Sequence, residues 1–187
     1  MAKPSLVVVL VEDGRHQNLV RAYLKRDGLY GHSLRFLKSP PAGGSGEQWV
    51  REHFPLEVNA YRLRQARAES RLIVVIDADT RTVQERFSQL DSALKSENIA
   101  PVRLTTERIA RLVPRRNVET WLLVLSECSN SRINEKTNYK QTRNDWEDLI
   151  KPSAERLYRW TRPNSTVPNT CIGSLKVGIV ELRRLSL

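Results

Sequence analysis

Two uninterrupted runs of hydrophobic residues, each ending in an acidic residue, dominate the first two-fifths of the chain. The runs are Leu6–Val11, followed by Glu12, and Leu72–Ile76, followed by Asp77. Short runs that are rich in β-branched residues are typical of parallel strands buried on both faces of a sheet. We therefore predict that these two runs are central strands of one parallel sheet.

The segments around these runs alternate between helical and extended patterns. Helices are predicted at Arg15–Arg26, Glu47–Arg71 (with a break at Pro55), around Val83 to Leu94, Val118–Leu125, Trp146–Trp160 (with a break near Pro152) and after a capping Ser174; further strands are predicted at His32–Lys38, Pro101–Leu104 and Arg108–Val113. Such strand–helix alternation indicates an α/β fold, an open and mostly parallel sheet with helices on both faces.

The pattern divides the chain into a sheet-containing part, residues 1–125, and a C-terminal extension, residues 126–187. The extension begins with a polar stretch, Cys128–Asn144, which is nearly free of apolar residues and is predicted to be a long loop. Its later helices have apolar faces and should pack on the same domain. A chain of 187 residues is long enough for one domain with a full-sized core.

Charge is the informative bulk property. The chain has 31 Lys and Arg against 21 Asp and Glu, a formal net charge of +10. This excess favours a polyanionic partner such as nucleic acid, although a generally basic surface would have the same composition. The longest apolar run near the start is far shorter than the ~20 residues that span a bilayer, so we expect no membrane contact and a cytoplasmic location.

Cysteine and histidine do not suggest a metal site. Cys128 and Cys171 match no metal-binding spacing, and we expect both to be free thiols. The three histidines, His16, His32 and His53, lie in separate segments, so neither a zinc site nor a histidine-based triad is predicted.

The candidate chemistry lies in the acids that follow the two buried strands. Functional groups of open parallel sheets lie beyond the carboxyl ends of the strands. If the two strands are neighbours, Glu12 and Asp77 emerge at one edge, and Asp79 points the same way while the backbone stays extended. Three clustered carboxylates repel one another unless a cation neutralises them, and hard oxygen ligands suit Mg²⁺ or Mn²⁺. The alternative is that these acids cap the helices that follow them, Glu12 or Asp13 before the first helix and Asp79 before the helix near Thr82.

These motifs resemble the Toprim domain, which is named for topoisomerases and primases and is shared by several nucleases. Its marks are a glutamate that closes the first strand and a later strand that ends in D-x-D; here they read LVVVLVEDG at Leu6–Gly14 and LIVVIDAD at Leu72–Asp79. Asp13 departs from the pattern, because many members have glycine there. The resemblance covers the sheet-containing part of the chain.

The chain is also similar to small stand-alone bacterial Toprim-like proteins, some of which lie beside ATPases in phage-defence loci. That similarity includes the segment Asn117–Trp121 and makes Glu119 a fourth candidate site acid. The alternative for Glu119 is an acid in the first turn of a helix, favoured by the helix dipole.

The resemblance implies metal-dependent hydrolysis of a phosphodiester bond in DNA or RNA, with an ATPase as a candidate partner. Topoisomerase and primase activities need further domains, for which the given chain has no room. Asp77 and Asp79 would bind one or two Mg²⁺ or Mn²⁺ ions, and Glu12 would be a ligand or a general acid/base. Candidate contacts to the nucleic-acid backbone are Arg62, Arg64, Arg67, Arg115 and Arg116, although an Arg-rich helix is often only a solvated face.

Three other protein classes share parts of these motifs. Val9–Leu24 looks like the start of a response-regulator receiver, but the segment around His53–Glu57 lacks the phosphoacceptor aspartate. The motif from Asp77 to Thr80 is similar to that of D-x-D phosphatases, whose threonine comes one residue later, where this chain has Arg81. D-x-D glycosyltransferases need a nucleotide-binding first half that is not evident here. The open alternative from another class is a non-catalytic module that binds nucleic acid or protein.

Overall fold

The computed structural model describes residues 4–40, 45–126 and 133–186, and in that part of the chain four strands form one sheet. The strands are β1 (Leu6–Val11), β2 (Leu34–Lys38), β3 (Ser70–Val75) and β4 (Ile109–Leu112), in the order β2-β1-β3-β4. Every neighbouring pair is parallel, and a helix lies between consecutive strands in the chain, as parallel pairing requires. Cys128 and Arg132, from the predicted polar loop, lie outside the described residues.

Six α-helices in the described residues flank this sheet. They are α1 (Gly14–Arg26), α2 (Gly46–Gln65), α3 (Val83–Ser96), α4 (Val118–Ser126), α5 (Ile150–Thr161) and α6 (Gly173–Arg184), with 3₁₀ turns at Gly31–Ser33 and Trp146–Leu149. Helices α1, α4, α5 and α6 share one hydrophobic core with the sheet, and α2 and α3 share the other. The predicted α/β class is confirmed, and the arrangement is consistent with an open Toprim-like sheet. Among these helices, none combines the length and the apolar character that a bilayer crossing demands.

The two central strands are buried on both faces because their successive side chains enter different cores. Val7 and Val9 of β1 pack on the side of α1, whereas Val8 and Leu10 pack on the side of α2 and α3. All four side chains are fully buried. This two-sided burial explains why these strands appear in the sequence as continuous apolar runs rather than alternating patterns.

The predicted strand at Pro101–Leu104 was wrong. The chain there is irregular and turns at residues 104–106, and polar contacts hold its backbone in place of strand pairing. Arg62 donates to the carbonyl oxygens of Ala100 and Pro101, both at 2.9 Å, and the Glu107 carboxylate accepts from the backbone N–H of Arg103 at 2.7 Å.

Several predicted helix bounds were also wrong. Helix α2 ends at Gln65, because the chain enters β3 at Ser70, and Pro55 lies inside α2 without ending it. Pro152 lies within the first turn of α5, where a missing N–H breaks no helical hydrogen bond. Ser174 does not cap α6, since the carboxylate of Glu135 accepts from the first N–H groups of that helix, including that of Ser174 at 2.8 Å.

The outer edge of β4 is closed by side chains of α6. The Glu181 carboxylate accepts from the backbone N–H of Arg111 at 2.8 Å, and Arg184 donates to the carbonyl of Ile109 at 2.8 Å. These bonds replace the pairing that a further strand would supply. The C-terminal helix is therefore part of the sheet's own packing.

Close packing between α4 and α6 gives a test of this arrangement. A Cβ on Gly178 would lie 2.3 Å from the ring of the buried Trp121. We expect Gly178→Ala to lower the free energy of unfolding by about 1–3 kcal/mol, since overpacking outweighs alanine's better helix propensity. Val180→Ala, on the exposed side of the same helix, should change it by less than about 0.5 kcal/mol. Urea unfolding of both variants measures the difference, and an unchanged midpoint for Gly178→Ala would contradict the packing.

Candidate active site

The carboxyl ends of β1 and β3 bring two of the predicted site acids together. The strands pair in the register Val11 to Val75, so Glu12 and Asp77 follow them at the same edge of the sheet. Glu12 Oε2 accepts a hydrogen bond from the backbone N–H of Asp77 at 3.1 Å. The strand adjacency expected from the sequence is observed, while the chemical roles of the two acids stay predictions.

Asp77 is a carboxylate fully removed from solvent. Its Oδ1 lies 2.9 Å from Nε2 of His16, which is also fully buried. Its Oδ2 has no hydrogen-bond partner among the described residues, and the ammonium of Lys140 lies 3.7 Å from it. Burial of an ion without partners is strongly unfavourable, so the two cations stabilise Asp77 in this position.

His16 connects Asp77 to the start of α1. Its Nδ1 lies 3.1 Å from Oδ1 of Asp13, near enough for an ion pair but without a hydrogen bond. Burial disfavours a charged imidazole, yet the negative charges of Asp77 and Asp13 outweigh burial and raise the pKa of His16 well above its usual value. We infer a charged imidazolium between two carboxylates at neutral pH.

The sequence prediction missed His16, because it considered the histidines only as partners of one another. The signal that could have found it is its spacing. His16, Leu19, Val20 and Tyr23 form the buried stripe of a helix that starts directly after Glu12. A histidine on the buried face of that first turn can lie only near the strand-end acids.

Glu12 packs closely against Gly46, the first residue of α2. A Cβ on Gly46 would come within 2.8 Å of both Cγ and the carbonyl oxygen of Glu12, so this close approach requires glycine. Burial and the negative charge of Asp77 raise the pKa of Glu12 to about 7. Its carboxyl group therefore exchanges a proton near neutral pH, as a general acid/base does.

Asp79 departs from the expected geometry. Its φ is +55°, so the backbone is left-handed there and not extended; aspartate tolerates this conformation better than most residues. The turn is fixed by Arg81, whose N–H donates to the carbonyl of Ala78 at 2.9 Å. The Asp79 carboxylate is half exposed and lies 3.7 Å from the buried guanidinium of Arg86. Burial and the charge of Asp77 raise its pKa.

Helix capping does not explain Glu12 or Asp79. Asp13 caps α1 by accepting from the N–H groups of Arg15 and His16. Thr82 caps α3 in a reciprocal pair with Glu85. Both helix starts are thus satisfied by neighbouring residues, which leaves the two candidate acids available for another role.

Glu119 lies in the first turn of α4 and is fully buried. It forms an ion pair with Arg15, and its Oε2 has no hydrogen-bond partner within the described part of the chain. The guanidinium carbon of Arg15 lies 5.8 Å from the centre of the Trp146 ring. Glu119 and Asp77 both act on the charge of Lys140, so Glu119 lies in the neighbourhood of the site, and its role stays a prediction.

The five candidate arginines fall into two groups. Two lie between β4 and α4, at the same edge as the acids, and three lie in or just after the last turns of α2: these are Arg115 and Arg116, and Arg62, Arg64 and Arg67. The chain passes from α2 into the amino end of β3, so the second group is separated from Asp77 by the length of that strand, on the order of 20 Å. Arg62 also binds Glu107 at 2.6 Å, and Arg64 lies 3.6 Å from Glu57. Arg116 is among the charges that act on Asp79.

The carboxylate groups suit a hard divalent cation, although their side chains are not gathered around one point. Within the described ranges, no three Asp, Glu, His or Cys side chains form a ready-made metal cluster. Asp77 Oδ2 is nevertheless a buried carboxylate oxygen with a vacant acceptor position, and Glu12 and Asp79 act electrostatically on the same site. Carboxylate oxygens are the ligands that Mg²⁺ and Mn²⁺ prefer. Binding such a cation requires side chains such as Asp79 and Lys140 to move.

No protein-family model, curated protein or solved structure matches this chain. The resemblance to Toprim proteins thus rests on the two strand-end motifs.

The raised pKa of Glu12 predicts a dependence of stability on pH. The pKa is about 7 in the folded protein and 4.5 at its ordinary value. The folded state therefore binds this proton more tightly, and the group destabilises the chelator-treated protein as pH rises through that interval. Glu12→Gln keeps an acceptor for the N–H of Asp77 and removes the charge. It should match wild type near pH 4.5 and exceed it above pH 7 by about 2–3 kcal/mol.

Urea unfolding in chelator at both pH values measures this difference. The control is Glu97→Gln, a change at an exposed acid at the end of α3. Its stability should follow that of wild type at both pH values. A Glu12→Gln variant with the same pH response as wild type would show that Glu12 is not held in its neutral form.

Proposed function

We propose that this chain hydrolyses phosphodiester bonds of nucleic acid with Mg²⁺ or Mn²⁺ held by Glu12, Asp77 and Asp79. The observation that carries the proposal is the buried Asp77 carboxylate at the carboxyl end of two central parallel strands. One of its oxygens is without a hydrogen bond among the described residues, and Glu12 lies directly beside it. The Toprim resemblance of the same residues and the net charge of +10 support the proposal.

Each residue of the site has a distinct part in this proposal. Asp77 offers Oδ2 as a ligand, while its Oδ1 stays bound to His16. Asp79 is half exposed and can turn toward the substrate side. The pKa of Glu12 is about 7 while no cation is bound, so Glu12 would either lose its proton and ligate the metal or act as the general acid/base on water. A bound Mg²⁺ would polarise the phosphate and stabilise the leaving oxygen.

Arg115 and Arg116 are the candidate contacts to the nucleic-acid backbone. They follow β4 at the carboxyl edge of the sheet and are partly exposed; Arg116 acts on the charge of Asp79 and Arg115 on that of Glu85. Contacts of this kind position a nucleic acid without reading its sequence. An ATPase partner in phage defence belongs to the same proposal and is supported by the resemblance alone.

The second candidate function is a non-catalytic nucleic-acid-binding module. It is favoured by the cations that the protein itself places beside the acids, since His16, Lys140 and Arg86 already neutralise part of their charge. A module of this kind would bind nucleic acid without cutting it. The two candidates differ in their need for a divalent cation.

Replacement of the two D-x-D acids separates the candidates. We expect Asp77→Asn with Asp79→Asn to lower the cleavage rate by on the order of a hundredfold or more, because two metal ligands are lost at little change in shape. Cleavage of plasmid DNA, linear DNA and single-stranded RNA is followed with Mg²⁺, with Mn²⁺ and with chelator. Asp148→Asn, at an exposed acid, is the control and should cut as wild type does.

Two results would contradict the enzyme proposal. A wild-type protein that binds nucleic acid but never cuts it with either metal would favour the binding module. Equal cutting by wild type, by the double variant and in chelator would identify a contaminating nuclease.

The salt dependence of binding tests the two arginine groups. If Arg115 and Arg116 contact phosphates, changing both to Gln should reduce the log–log slope of affinity against salt by about 0.9 per lost contact on duplex DNA. The matched control is Arg64→Gln with Arg67→Gln, at the end of α2, which should leave the slope unchanged. Fluorescence anisotropy in chelator measures both slopes. An unchanged slope for the first double variant with a reduced slope for the control would place the nucleic-acid contact at the other end of the sheet.

A further inference from the structure

The segment from residue 133 to residue 145 places a lysine beside the buried acid of the site. Lys140 Nζ lies 3.7 Å from Asp77 Oδ2, a distance typical of an ion pair and too long for a good hydrogen bond. Oδ2 is the Asp77 oxygen that His16 does not contact, and it has no other partner among the described residues. The ammonium therefore lies on the side of Asp77 where a metal ion would bind.

The backbone around Lys140 is fixed by three hydrogen bonds. Asn138 Oδ1 accepts from the side-chain amide of Asn117 at 2.8 Å and from the N–H of Lys140 at 3.1 Å. The carbonyl of Lys140 accepts from the indole N–H of the buried Trp146 at 3.2 Å. These bonds hold the segment over the sheet edge independently of the lysine side chain.

The Lys140 side chain forms an ion pair with Asp77 and no side-chain hydrogen bond to another described residue. It is 40% exposed. Four acids act on its charge, namely Asp77, Glu119, Glu12 and Asp13. A long, half-exposed side chain with a single ion pair can leave the site without disturbing the backbone that carries it.

We propose that the Lys140 ammonium is a built-in counter-ion of Asp77, which a divalent cation must displace to bind the site. The proposal rests on the assignment of Asp77 as a metal ligand. It explains why the three candidate ligands do not converge while the lysine is in place. It also implies that Lys140 weakens metal binding, whereas a residue that builds the site would strengthen it.

Metal affinity without substrate tests the sign of this effect. We expect Lys140→Gln to bind Mn²⁺ about tenfold more tightly than wild type, since a positive charge some 4 Å from the ligand oxygen is removed. Lys140→Arg keeps the charge and should stay within about twofold of wild type, as should Lys136→Gln, an exposed lysine on the same segment. Titration of Mn²⁺ followed by electron paramagnetic resonance of the free ion measures the dissociation constants of the wild type and the variants.

A chemical readout follows the lysine directly. Added Mn²⁺ should increase reductive methylation of Lys140 in the wild type, because the displaced ammonium becomes accessible, and should leave that of Lys136 unchanged. Peptide mass spectrometry quantifies both sites. Methylation of Lys140 that is equal with and without bound Mn²⁺ would overturn the proposal.

The outcomes also separate this inference from the proposed function. If wild type binds Mn²⁺, Asp77→Asn does not, and Lys140→Gln binds as wild type or more weakly, the metal site stands and the displacement is wrong. Weaker Mn²⁺ binding by Lys140→Gln would indicate that the lysine helps to build the metal site. If neither wild type nor Lys140→Gln binds Mn²⁺, the metal site and the displacement are both wrong.

Discussion

A carboxylate that is fully removed from water has to be neutralised, and the surroundings of Asp77 are organised by that requirement. His16 Nε2 lies 2.9 Å from Oδ1 of Asp77, and the Lys140 ammonium lies 3.7 Å from Oδ2. His16 in turn needs a negative partner on its second nitrogen, which Asp13 supplies while it also caps α1. The first helix, the strand-end acid and the polar segment after α4 are thus joined through one buried charge.

The architecture of the sheet explains why the Asp77 carboxylate is buried. Parallel pairing of β1 with β3 places Glu12 and Asp77 side by side, and helices on both faces exclude water from the strands. Gly46 approaches Glu12 closely, so the Glu12 side chain is only partly exposed at the same edge. Because Asp13 and Thr82 cap the neighbouring helices, Glu12 and Asp79 do not act as helix caps. Under the proposed function, a divalent cation would offset the negative charge of these acids and would in turn bind a phosphate oxygen.

The sequence predicted the parts of the fold that depend on local pattern. The apolar runs that became β1 and β3 and the order of the strand-end acids could be read directly, because two-sided burial leaves a continuous hydrophobic signature. Lys140 could not be found in this way, since its segment is polar and reaches Asp77 only through tertiary contacts. The left-handed backbone at Asp79 and the irregular chain at Pro101–Leu104 depend on particular hydrogen bonds, which propensity does not encode. The role of each acid likewise lies beyond pattern, because it depends on what the site binds.

The proposed cation site at Asp77 and Glu12, with Lys140 as its present counter-ion, is tested most directly by anomalous diffraction from crystals grown with Mn²⁺. We expect an anomalous peak at Asp77 Oδ2, within coordination distance of Glu12 or Asp79, with the Lys140 ammonium moved away. Crystals that take up Mn²⁺ only at other acids, with Lys140 still beside Asp77, would contradict the proposal.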